Sequence, residues 1–193
     1  MHRKFMKVVC IILTLAISSF GIIGCSKNAQ TMGNKKNGIE KRYVNIEYRS
    51  FKDDKELLDK ADVVVLGKVI KTYEPKKINV NLDTNSESVE SVYTVCDLKV
   101  EKVIKGDIEV GQVVQIKQNG GLFENVEYIY GRQEYLMENT DYVVFLESYI
   151  NFNPQMPYSL LNPTQGRKPA KDNAEKDKLI NDLEKVKDNK TTN

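Results

Sequence analysis

Side chains able to carry chemistry are few in this chain, and the shortage narrows its function. The one histidine, His2, stands at the very start, so residues 3–193 hold no imidazole. Ser–His and Cys–His nucleophiles both need an imidazole to take their proton, and beyond those first residues both are excluded. Ser–Lys chemistry would fall to Ser86, Ser88 or Ser91, in a polar stretch with no apolar pocket signature. The three cysteines, Cys10, Cys25 and Cys96, do not form a disulfide framework. Cys96 lies on the apolar side of an alternating run and reads as a buried, inert thiol. Zinc sites draw on histidine and cysteine, so none is expected. Asp83-Thr84-Asn85-Ser86-Glu87 alternates oxygen ligands as a calcium loop begins. Ser88, however, stands where that loop needs glycine, and Thr94 where it needs a bidentate glutamate. Gly120-Gly121 lacks the lysine and the following helix of a phosphate loop. The reading is therefore no catalytic residue, no metal, no cofactor and no enzyme. Aromatic rings crowd the later half of the chain, and stacking on such rings is a common way to hold ligands. Tyr128, Tyr130 and Tyr149 are the predicted ligand face, while the remaining rings fill the core.

Cys25 has a different setting. A basic start, His2 to Lys7, precedes an apolar run from Val8 to about Ile17 and a small-residue end, the three zones of an export signal. The run is shorter than the roughly 20 apolar residues that a spanning helix needs. Its last residues, Ile22-Ile23-Gly24-Cys25, resemble the lipobox of bacterial lipoproteins, with an aliphatic residue three before the cysteine and a small one before it. The resemblance implies diacylglycerol on the Cys25 sulfur and cleavage before it. Ile22 departs from the more usual leucine. Burial contributes about 0.8 kcal/mol per CH₂, so two or three acyl chains make a stable anchor where one is marginal. The expected location is the extracytoplasmic face of a cell membrane, with the lipid on Cys25 as the membrane contact.

Removing Arg3, Lys4 and Lys7 with the signal leaves 26 basic residues against 27 acidic ones. A near-neutral surface carries no electrostatic footprint for nucleic acid, and none is expected as a partner.

These residues need a scaffold to hold them. The predicted division is a signal over 1–24, a flexible tether over 25–41, a β-barrel domain over 42–168 and a polar tail with an amphipathic helix over 169–193. Ser50-Phe51-Lys52-Asp53 predicts the opening of a short helix with Leu57, Leu58 and Ala61 on one face, ending near Asp62. Val63 to Lys71 has the β-branched density of a buried strand, and Gly67 predicts a bulge within it. Lys76 to Glu90 reads as a polar loop. Val92, Thr94, Cys96, Leu98 and Val100 alternate with Tyr93, Val95, Asp97, Lys99 and Glu101, a period of two that predicts a half-buried strand. Lys105-Gly106-Asp107 predicts a turn. Further strands are expected at 113–117, 126–130, 134–137, 142–146 and 158–161. Leu179, Ile180, Leu183 and Val186 recur at helical spacing in the tail, and both a helix packed on the barrel and a partner-binding helix fit that pattern.

The order of Lys60-Ala61-Asp62, Gly67-Lys68-Val69, Tyr93-Thr94, Val103-Ile104-Lys105-Gly106, Gly120-Gly121, Tyr142 to Leu146 and Gln165-Gly166 resembles a set of exported bacterial domains. Those are similar to the netrin-like domain of tissue inhibitors of metalloproteinases. Over roughly residues 55–167 the resemblance implies a small OB-like antiparallel β-barrel with a short N-terminal and a C-terminal helix. In the inhibitors an amino-terminal cysteine, disulfide-bonded and with a free amine, grips the protease zinc. An acylated Cys25 without a cysteine framework would not, and fold alone does not restore the activity. The expected function is a membrane-anchored, non-enzymatic binding or interaction module. The alternatives are a surface inhibitor or immunity-type lipoprotein acting on a protease or toxin, and a small carboxylate-dependent hydrolase.

Overall fold

Two runs in the chain are apolar without alternation, and both are explained by burial on two faces. In the computed structural model, which describes residues 38–80, 89–149 and 156–188, they form β2 (Val63–Thr72) and β8 (Asp141–Glu147). Val63 and Val65 of β2, with Tyr142, Val144 and Leu146 of β8, point into a barrel. Val64, Leu66, Val143 and Phe145 point outward, but under two helices. A strand covered on both sides needs apolar residues at every position. By contrast, β4 (Val89–Lys105) has water on much of its outer face and keeps the alternation, with Val92, Cys96 and Leu98 fully buried and Lys99 and Glu101 exposed.

The barrel closes through five strands. β2 pairs antiparallel with β4 and with β8, and β4 pairs with β5 (Val113–Asn119). The ring is then completed by β9 (Tyr158–Leu160), antiparallel to β8 and parallel to β5. This strand order is that of an OB-fold, mainly antiparallel with one parallel seam. The seam is short, joining Ile116 to Tyr158 and Lys117 to Ser159. β10 (Arg167–Ala170) continues along the edge of β8 beyond β9. β3 (Lys76–Val80) lies on the first half of β4. A smaller sheet of β1 (Glu40–Val44), β7 (Val126–Tyr130) and β6 (Gly121–Phe123) sits beside the start of β4.

Gly67 stands at a register shift between β2 and β4, where the bulge was expected. A Cβ there would lie 2.4 Å from Leu98 Cδ2 and 2.5 Å from the Lys99 carbonyl oxygen. Only glycine lets the two strands approach this closely. Asn139, at φ +61, makes the turn into β8 in the left-handed region that asparagine tolerates.

The helices cover one side. α1 (Asp54–Lys60) is capped by Asp53, whose Oδ1 accepts from Glu56 N at 2.9 Å, while Glu56 Oε2 accepts from Lys52 N at 2.9 Å. The cap falls three residues later than Ser50. Phe51 is held extended by Gln165, whose side-chain amide accepts from its N–H at 3.0 Å and donates to its C=O at 2.7 Å. Lys105 Nζ closes the other end, donating to the carbonyls of Leu58, Asp59 and Ala61. α2 (Asn173–Asp188) buries Ile180 and Leu183 in the cluster that holds Leu57, Leu58 and Phe145, so the helix packs on its own domain. Lys176 ties it to Glu101 at 2.9 Å and to Asp141 at 3.0 Å.

Three local expectations change. Residues 76–80 form a strand, because β4 extends past the end of β2 at Thr72 and offers its edge to β3 there. Residues 134–137 are extended but form no ladder, since their backbone bonds go to side chains: Leu136 N to Gln118 Oε1 and Met137 N to Tyr142 Oη. The domain limits also move. Glu40 and Lys41 belong to β1, and Lys168 falls inside β10, so neither 41 nor 168 is a boundary. All the described residues lie in one unit, Gly33–Asn193. None of their helices is long and apolar enough to cross a membrane.

Candidate functional site

A polar cleft of about 200 Å³ opens where the barrel closes, at the seam of β5 and β9. Five separate stretches of chain build it. Tyr48 comes from the link between β1 and α1, Lys117 and Asn119 from the end of β5, and Gln133 from the stretch after β7. Tyr149 follows β8, and Ser159 lies in β9. Because Ile116 and Gln118 turn inward to the core, Lys117 and Asn119 must turn outward.

One wall is a fixed network. Asn119 Nδ2 donates to Tyr48 Oη at 3.0 Å, Gln133 Nε2 donates to the Asn119 carbonyl, and Tyr135 Oη donates to that carbonyl at 3.2 Å. Burial raises the pKa of Tyr48 above its ordinary 10.0, keeping the phenol protonated at neutral pH. On the opposite wall Tyr149 Oη donates to Glu147 Oε2 at 3.0 Å, and burial followed by that carboxylate raises its pKa as well. Ser159 lies beside this phenol and opposes the rise, but its buried Oγ has no partner at full hydrogen-bond distance. Lys117 is half-buried between the walls, and desolvation lowers its pKa below 10.5.

The predicted aromatic face is redistributed. Tyr149 lines the cleft, but Tyr128 and Tyr130, at 5% and 4% exposure, do not form a ligand face. They fill the space between β4 and the small sheet, against Val92. Tyr130 Oη accepts from Val92 N at 3.2 Å, and Arg42 stacks over Tyr128 at 5.2 Å while donating to its hydroxyl. The covering residues come from β1 and β6, elements that the sequence reading did not contain. Missed in turn were Lys117, Tyr48, Asn119, Gln133 and Ser159. The one available signal was the outward phase of Lys117 and Asn119 on β5.

Cys96 is fully buried, and desolvation pushes its thiol up to about 12, so it is inert. Ser91 shares a hydrogen bond with Tyr130 at 3.4 Å. Cys25, Ser86, Ser88 and the oxygen-rich run 83–87 lie outside the described residues. Among the described residues no group of three or more His, Cys, Asp or Glu side chains is placed to hold a metal ion. A second, more apolar depression of about 550 Å³ runs between Tyr73, Pro75, Leu122 and Met137. Leu122 and Met137 stand 48% and 62% exposed there.

Neither a protein-family model nor a curated protein matches the chain.

Proposed function

We propose that the chain is a lipid-anchored, extracytoplasmic binding module. Residues 1–24 direct export, Cys25 carries the lipid, and the following polar residues hold the barrel clear of the membrane. The observation that carries this reading is the sequence Ile22-Ile23-Gly24-Cys25 behind a basic start and a short apolar run. Two features support binding over catalysis. No imidazole exists beyond His2 to serve as a general base. The cleft walls are also tied by hydrogen bonds into a preformed surface, the usual character of a ligand site.

Metabolic labelling with a fatty acid, followed by cell fractionation, tests the anchor. The wild-type chain is expected to take up label and follow the membranes, and Cys25→Ala to lose both. Label on the Cys25→Ala chain refutes it. Activity on a peptide or glycan panel, abolished by one Glu or Asp substitution, refutes the non-enzymatic part.

The exposed apolar depression at Leu122 and Met137 favours a second reading, a surface inhibitor or immunity-type protein that docks a protease or toxin. Capture of one partner from detergent-solubilised membranes, lost on Met137→Asp with Leu122→Asp, distinguishes it.

A further inference from the structure

We infer that the cleft at the β5–β9 seam seats one oxyanion group, a carboxylate or a phosphate, between the Lys117 ammonium and the Ser159 hydroxyl. The inference rests on reading the barrel as a binding module. Lys117 and Ser159 are register partners across a parallel pair, so their side chains leave the sheet on the same face, into the cleft.

Both are polar groups left uncompensated. Among the described residues Lys117 has neither a hydrogen-bond partner nor a carboxylate at ion-pair distance. Its recorded neighbour is the Tyr93 ring, 6.0 Å away at the limit of a cation–π contact. Other partly buried lysines here are satisfied, Lys105 by three carbonyls and Lys176 by two carboxylates. A half-buried ammonium and a buried hydroxyl, Ser159 Oγ, whose neighbour, the Tyr149 phenol, is not at full hydrogen-bond distance share this lining, and both cost stability unless something completes them. The two carboxylates of the lining are unsuited to do so. Glu134 pairs with Arg167, and Glu147 accepts from Tyr149. An oxyanion would accept from Nζ and Oγ together, both charge-assisted hydrogen bonds, the first also an ion pair.

The test is an NMR titration of the full chain in uncharged detergent micelles, with sodium acetate and with sodium phosphate at constant ionic strength. Saturable shifts at the Lys117 and Ser159 amides are expected with at least one anion, and the stronger of the two names the group. Lys117→Met should weaken that affinity about tenfold or more, Ser159→Ala about threefold, and Lys117→Arg should retain most of it. Absence of saturable shifts with both anions overturns the inference, as does unchanged affinity in a folded Lys117→Met chain. An empty cleft in a chain that still takes up fatty acid and fractionates with membranes refutes the anion site while leaving the anchored module intact.

Discussion

Truncating Leu183 to alanine asks how firmly α2 belongs to the barrel. Leu183 is 1% exposed, packed in the cluster formed by Leu57, Leu58, Val143 and Phe145. Leu183→Ala removes three carbons, worth about 2.4 kcal/mol at ~0.8 kcal/mol each. The cavity left behind adds to that unless the helix settles inward. Settling is opposed by the ties along its length: Lys176 to Glu101 and Asp141, Glu184 to Lys102 at 2.8 Å, and Lys187 Nζ to the Ile104 carbonyl at 3.0 Å. A total of about 3 kcal/mol follows, within the ~2–5 kcal/mol of buried leucine truncations. For a domain of this size that corresponds to about 6–12 °C in Tm. Thermal melts of the full chain in uncharged detergent, followed by far-UV circular dichroism, measure it. Asp177→Ala, on the exposed face of the same helix, serves as control and should stay within about 0.5 kcal/mol of wild type. A Leu183→Ala chain that melts within a degree of wild type would refute the packing argument and return α2 to a partner-binding role.

Gly67→Ala should cost about 1–3 kcal/mol or more, because the added Cβ meets a backbone carbonyl and the fully buried Leu98, neither of which can move aside. An unchanged urea midpoint would contradict the close approach. Native Cys96 should resist alkylation at pH 8 and react once denatured, as read by peptide mapping. Its thiol titrates near 9.0 when unfolded and about 12 when folded. Above pH 9 the unfolded chain loses a proton that the folded chain keeps, so stability falls from pH 9 toward 12 by about 1.4 kcal/mol per unit. Cys96→Ala should remove that component of the slope; a slope identical to wild type would show that the thiol is not desolvated.

Local periodicity was enough for much of the fold. Alternation over 92–101 is legible because β4 has a wet face, and the unbroken apolar runs at 63–66 and 142–146 are legible because a strand covered on both sides admits no polar residue. The spacing of Ile180 and Leu183 likewise marks a helix, and the position of Gly67 marks a bulge. The resemblance of Ile22-Ile23-Gly24-Cys25 to a lipobox is linear, and reading it needs no fold.

The cleft was not legible, since it exists only where residues 48, 117, 133, 149 and 159 are brought together by closure of the barrel. That closure is a parallel pairing of two residue pairs between β5 and β9, segments some forty positions apart, and no local pattern encodes it. Tyr128 and Tyr130 were misplaced for the same reason. Whether a ring on β7 faces solvent or core depends on what covers it, and its cover comes from β1, β4 and β6. At 134–137 a strand-like composition lost its ladder to Gln118 and Tyr142, distant side chains that satisfied the backbone first. Side-chain type and period are properties of the chain alone; exposure and partnership are properties of the neighbours, which only the closed barrel supplies.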